Sequence, residues 1–292
     1  MNTVGFVILH YVAFEETINC VDSILKNIIG HKRIVIVDNN SPNDSFIRLK
    51  EKYKYNIEVD IIKTNTNIGF AKGNNFGYKY LIDNHKPDFI VVMNNDMEII
   101  QKDFIEEIYQ SYKKYQYHIC GPDIYSTQKK YHQNPQTKKL LNIGGYKKIY
   151  FKLWIKNKLS FLFPIKYYIE DIIKLKPKEN PQAPPFINKV VFNPMLHGSC
   201  YIFSPLYLEN HNDECFFNNT FMYMEAEILY YLAQKHKEKI IYNPNMQVFH
   251  HEDISTEATY NKKYKKSIFT IKCLLQSTKV FIDLMKSYNN VK

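Results

Sequence analysis

No stretch of the 292-residue chain approaches eighteen uninterrupted apolar residues, so the sequence offers no membrane-crossing helix. The chain opens directly on a strand-like run at residues 4–10, without the basic-then-apolar pattern of a signal peptide; a cytoplasmic location is expected. Its five cysteines (Cys20, Cys120, Cys200, Cys215 and Cys273) are odd in number and scattered, with no CxxC pair. That argues against a disulfide framework or a zinc site and for reduced thiols. Internal repeats are absent, and compositional bias is confined to an enrichment in lysine, asparagine and tyrosine.

What is present suits a folded globular chain, with 45% hydrophobic and 23% charged residues. The net charge of +10 is unevenly placed. Between residues 129 and 189, fourteen lysines stand against Glu170, Asp171 and Glu179, a net +11, which leaves the rest of the chain close to neutral. Such a patch describes a partner surface rather than a fold.

Hydrophobic periodicity alternates between strand and helix along the first third. Residues 4–10 read as a strand, 15–27 as a helix, 33–37 as a strand, 43–53 as a helix, 58–62 as a strand. A glycine- and amide-rich run, residues 67–77, leads into a helix ending near Asp83, and residues 88–93 form a fourth strand. This alternation predicts an α/β fold, a mostly parallel sheet with helices on both faces. Polar clusters follow successive strands, which gathers them on the carboxyl edge where such sheets bind ligands. A helix is expected over 104–115; regularity fades beyond it, residues 127–185 interleave lysines and aromatics, and Pro177, Pro181, Pro184 and Pro185 mark a loop or linker. Strand character returns at 200–203 and again, briefly, at 247–250; residues 221–234 and 264–288 read as helices, the second amphipathic.

The apolar run Ile90-Val91-Val92-Met93 ends abruptly on Asn94-Asn95-Asp96. A carboxylate delivered by a buried strand to that edge can hold a hard divalent cation, although Asn-Asn-Asp is also ordinary turn chemistry.

Several pieces coincide in order: Ile36-Val37-Asp38-Asn39-Asn40-Ser41, then Asn67-Ile68-Gly69-Phe70-Ala71-Lys72-Gly73-Asn74-Asn75-Phe76-Gly77, Met93-Asn94-Asn95-Asp96, His197-Gly198-Ser199-Cys200, Phe221-Met222-Tyr223-Met224-Glu225 and Val248-Phe249-His250. Together they resemble a family 2 glycosyltransferase of the GT-A fold, of the bacterial rhamnosyltransferase-like or capsule-type branch, over residues 4–255. The resemblance implies a UDP- or dTDP-sugar donor, an inverting transfer to a hydroxyl of a surface glycan (lipooligosaccharide, O-antigen or capsule), and a divalent cation, Mg2+ or Mn2+. By that analogy Asp38 and Asn40 meet the nucleotide, with His10 and Tyr11 nearby. Asn67, Gly69, Lys72, Gly73 and Asn74 line the donor pocket with Asn94 and Asn95, Asp96 and His250 hold the metal, and Gly198 and Ser199 touch the acceptor. The glycines would let backbone approach phosphate closely, at a helix start that favours anions.

Two departures stand out. The metal motif lacks its first acid, so Asp96 is its one carboxylate, and the acidic pair expected late in the domain appears as Glu225-Ala226-Glu227. Two residues apart on a helix, Glu225 and Glu227 point to different faces, so either one could be the base that faces the acceptor. The implied organisation is a nucleotide-sugar-binding half at 1–125, a basic aromatic insert at 126–189, an acceptor-side half at 190–258 and a C-terminal amphipathic helix at 259–292. Lysines interleaved with rings suit nucleic acid, anionic lipid headgroups or a plain solvated surface. The implied partners are the donor and a glycan or lipid-linked glycan, with no nucleic acid expected. Lysines along the C-terminal helix add the expectation of peripheral attachment to the inner face of the inner membrane. The rivals are a nucleotidyltransferase, which should carry a Gly-rich basic loop where His10-Tyr11-Val12 stands, and a nucleic-acid-binding module centred on the insert.

Overall fold

The structure, a computed structural model, describes residues 2–173, 185–252 and 262–290. The prolines at 177, 181 and 184 lie outside the described residues. The first strands and helices are β1 (Thr3–His10), α1 (Phe14–Asn27), β2 (His31–Asp38), α2 (Ser45–Tyr53), β3 (Val59–Lys63), α3 (Phe70–His85) and β4 (Phe89–Asn94). They are followed by β5 (Met97–Glu98), α4 (Phe104–Tyr115), β6 (Ile119–Ser126) and β7 (Tyr131–His132). Next come α5 (Ile143–Lys158), a single 3-10 turn at Ser160–Leu162 and α6 (Phe163–Ile173). The remainder comprises β8 (Val191–Phe192), β9 (Cys200–Phe203), α7 (Pro205–Asn210), α8 (Glu225–His236), β10 (Ile240–His250) and α9 (Lys263–Asn290).

The sheet runs in the order β3-β2-β1-β4-β9-β6-β10-β5. Strands β3, β2, β1 and β4 are mutually parallel, β9 is antiparallel to both its neighbours, and β6 and β10 are again parallel to each other. One antiparallel strand in the middle leaves β1, β2, β4, β6 and β10 all pointing the same way, so their carboxyl ends share one edge. The loop entering β9 lies at that edge too.

Side-chain alternation feeds two layers. Phe6, Ile8, Ile34, Ile36, Val91 and Met93 pack with α1, α2 and α4, whereas Val7, Val35, Val37, Ile90 and Val92 pack with α3, α7 and α8. Because both faces are covered, the strands read as continuous apolar runs. Gly73 and Gly77 let α3 settle onto the sheet: a Cβ at Gly73 would fall 2.5 Å from the Leu9 side chain, and one at Gly77 2.6 Å from Val37. Gly73 thus serves helix-to-strand packing.

The stretch expected to lose regularity holds a central strand, β6, and the helices α5 and α6. Strand β6 escaped because Gly121 and Pro122 interrupt its pattern. Helix α5 escaped because apolar side chains lie on two opposite faces, which erases a one-sided stripe. A third apolar cluster joins Tyr146 of α5, Ile228 and Tyr231 of α8, and Phe281, Ile282 and Met285 of α9. The amphipathic C-terminal helix thus spends its apolar face inside the protein, which corrects its expected place in a lipid headgroup plane. No helix among the described residues is long and apolar enough to cross a membrane.

Candidate functional site

Asp38 ends β2 fully buried. Its Oδ1 accepts a hydrogen bond from the Ser41 amide at 3.0 Å, a local turn that aims the second oxygen away. That oxygen, Oδ2, lies 3.4 Å from the Lys63 ammonium, yet no hydrogen bond reaches it. The charge of this buried oxygen is thus offset by Lys63 while its hydrogen-bonding capacity is unused. Next to it Asn40 takes a left-handed backbone, φ 58°.

Asn39, absent from the sequence-derived site, braces the loops. Its amide nitrogen donates to Asn67 Oδ1 and the Gly69 carbonyl, both at 3.1 Å, while its oxygen accepts from the Ile68 amide at 2.9 Å. Asn67 in turn accepts from the Gly69 amide at 3.0 Å. Lys72 is exposed, and Asn74 is buried with its side-chain oxygen lacking a hydrogen-bond partner. His10 is turned inward: each ring nitrogen sits 2.8 Å from a hydroxyl, Thr17 on one side and Ser45 on the other, and burial holds its pKa at about 4. The neutral ring therefore fastens α1 and α2 to the end of β1. After it, the Ala13 amide donates to the Tyr11 carbonyl at 2.7 Å across Val12, whose φ is 65°. A β-branched residue in the left-handed region is strained.

At the end of β4, the Asn94 amide donates to the Ser199 carbonyl and the Asn95 side chain points inward to Thr17 Oγ1 at 3.0 Å. Asp96 is buried, and its Oδ1 has no hydrogen-bond partner. That oxygen lies 3.3 Å from His250 Nε2. The tautomer of His250 follows from its other side. Gln133 donates its amide nitrogen to Glu252, so the Gln133 oxygen faces His250 and Nδ1 must donate to it, at 2.8 Å. With Nδ1 given to Gln133, Nε2 is the nitrogen left to face Asp96 Oδ1. A histidine fixed through its far nitrogen and aimed at a carboxylate is how metal ligands are oriented. The residues therefore fit a divalent ion held by Asp96 and His250. Burial acts to raise the Glu252 carboxyl, but the Ser126 hydroxyl and the Lys129 ammonium, 2.6 Å away, hold it below its ordinary range. Gln133 and Glu252 carry no family signature, so sequence reading missed them.

The loop before β9 closes the far side. His197 stands edge-on to His250, ring centroids 5.8 Å apart, and contacts Ser199 Oγ at 2.8 Å. Burial keeps the His197 pKa at about 4. Gly198 approaches Ala226, at the start of α8.

That start separates the two acids. Tyr223 and Met224 both adopt left-handed backbone, φ 70° and 74°, two successive strained residues immediately before Glu225. Glu225 accepts a hydrogen bond from the Thr220 hydroxyl at 3.1 Å and has no ion pair among the described residues. Burial pushes its carboxyl up to about 7. Glu227 instead binds the ammonium of Lys138. The segment before Glu225 is docked on the donor loop, since the Phe70 amide donates to the Phe221 carbonyl at 2.7 Å.

A doubly covered α/β sheet whose one edge gathers a buried aspartate, an acid–histidine pair and a raised glutamate is the GT-A architecture. The chain belongs to the family described as "Glycosyl transferase family 2", whose profile matches residues 6–173. The hexosyltransferase Agl10 of low-salt glycan biosynthesis in Haloferax volcanii is 27% identical over 124 residues, 42% of this chain and 37% of that protein. The S. aureus TarS 1-349 crystal structures share the fold at 11% identity. One has a TM-score of 0.53, covering 93% of this chain and 65% of TarS. The other, in complex with UDP-GlcNAc, has a TM-score of 0.55, covering 95% and 66%. The chain thus spans less than two thirds of the length of each of these relatives.

Proposed function

We propose that the chain is an inverting glycosyltransferase that moves a hexose from a UDP- or dTDP-linked donor to a hydroxyl of a surface glycan. The observation that carries this is the buried Asp96 Oδ1 without a hydrogen-bond partner, facing His250 Nε2 at 3.3 Å on the edge where the donor loops converge. The Haloferax volcanii relative is named a hexosyltransferase and TarS was crystallised with UDP-GlcNAc, which supports a UDP-linked hexose.

Asp38 receives the nucleotide with its open oxygen, Asn39 holds Asn67 and Gly69 in line beside it, and Lys72 adds a solvent-facing positive charge at the head of α3. A divalent ion on Asp96 and His250 would offset negative charge on the departing diphosphate. Glu225, with its pKa near 7, takes the proton from the acceptor hydroxyl as that oxygen attacks the anomeric carbon. Glu227 is held by Lys138 and shapes the acceptor side instead.

Thermal-shift screening of UDP- and dTDP-sugars, with and without Mn2+, followed by transfer assays on glycan acceptors, tests the reading. A native-state ligand at a hundredfold its Kd stabilises by about 2.7 kcal/mol, an easily seen shift. A protein indifferent to every nucleotide sugar in the presence of Mn2+ would refute it.

A further inference from the structure

We propose that the exposed face of α5, with the turn and α6 that follow it, is a docking surface for anionic lipid. One face of α5 is internal: Tyr146 stacks edge-on with Phe281 of α9, ring centroids 4.9 Å apart. The opposite face carries Phe151, Trp154 and Ile155, spaced as neighbours on a helix surface, and they are 59%, 42% and 38% exposed. The turn and α6 that follow add Phe161, Ile165 and Tyr168, at i, i+4 and i+7, exposed by 70%, 59% and 69%. Large apolar side chains gathered in this number on a folded surface mark an interaction site.

Charge selects the occupant. Between Asp123 and Glu170 the chain contains no acidic residue. Lys147, Lys148, Lys152, Lys156 and Lys158 on α5 and Lys166 on α6 are exposed. Lys158 lies over the Trp154 ring at 5.8 Å, and that ring is stacked on Phe151 with an interplanar angle of 13°. The two acids of α6, Glu170 and Asp171, follow its last ring. The aromatic and aliphatic side chains before them, flanked by lysines, match a negatively charged headgroup layer, where rings insert and ammonium groups stay at phosphate level. The internal face of α5 packs near the acid-bearing helix α8, since Tyr146 shares a cluster with Ile228, one residue beyond Glu227. The docking itself stands independently of the donor reading.

Trp154 is the protein's single tryptophan, so its fluorescence reports on the exposed face of α5 alone. The 292-residue chain is titrated with phosphatidylcholine vesicles, with phosphatidylcholine–phosphatidylglycerol vesicles, and with the latter carrying brominated acyl chains. Docking predicts a blue shift and quenching by bromine only with the anionic vesicles, reversed at about 0.5 M salt. The surface variants F151S/I155S and K147E/K148E should each weaken vesicle binding at least tenfold at unchanged thermal stability. Several results overturn the proposal: an emission unmoved by anionic vesicles, equal binding to neutral ones, a shift on RNA but not on lipid, or one that grows with protein concentration without vesicles.

Discussion

An ideal Cβ on Gly69 would lie 2.2 Å from the carbonyl oxygen of Phe221. The donor loop and the segment that presents Glu225 therefore meet backbone to backbone, and a glycine is the one residue that allows it at φ 84°. G69A should cost about 2 kcal/mol or more through strain and overlap, and should weaken nucleotide-sugar binding and turnover together. The control is G198A, whose Cβ would sit 3.9 Å from Ala226 in ordinary contact. It should change stability by less than about 0.5 kcal/mol. Urea unfolding and calorimetric titration check both.

The Asp96–His250 pair predicts that Mn2+ stabilises the protein and that D96A abolishes this. Gln133 touches the pair only through His250 Nδ1. Q133A should therefore weaken Mn2+ affinity about 10- to 100-fold without removing a ligand. Mn2+ titration followed by electron paramagnetic resonance gives both affinities directly. A Q133A affinity equal to the parent's would separate Gln133 from the metal.

Glu225 predicts opposite effects on activity and stability. Its pKa, raised to about 7 by burial, means that turnover should fall as pH drops below about 7 and the base is protonated. A raised carboxyl favours the folded state below the unfolded pKa of about 4.3, and that contribution is lost as pH rises through about 7. E225Q should accordingly lower turnover at least about 10²-fold while stabilising the protein by about 1–2 kcal/mol at pH 8 and not at pH 4. The same change at Glu227 breaks its contact with Lys138 and should not give that pH-dependent gain.

Val12 is strained, with φ 65° in the turn that follows β1. V12N, whose side chain tolerates the left-handed region, should raise stability by about 1 kcal/mol in chemical denaturation. The Val12 amide donates to Ser41 Oγ at 2.9 Å, so the same loop holds the residues beside Asp38. The substitution keeps that backbone amide, and nucleotide affinity should change less than about threefold, as a binding titration would show.

The parallel half of the sheet was legible because β1, β2, β3 and β4 are short apolar runs separated by periodic helices, and topology then dictates that Asp38, Asn67 and Asp96 reach one edge. The Asn-x-Gly-Phe and Asp-Asn-Asn-Ser pieces were legible as a family signature, since backbone approach and turn chemistry demand those residue types at fixed places. Side-chain partners were not legible. Whether a histidine binds a ligand or braces a helix depends on what lies opposite each ring nitrogen: His10 meets two hydroxyls, whereas His250 meets a glutamine oxygen and an orphaned carboxylate. The choice between Glu225 and Glu227 was likewise tertiary, because Lys138, 89 residues away in sequence, neutralises one and burial raises the other. Composition revealed a basic aromatic insert, but only the packing of α5 on α9 decided which rings stay inside, as Tyr146 does, and which are left facing water, as Phe151 and Trp154 are.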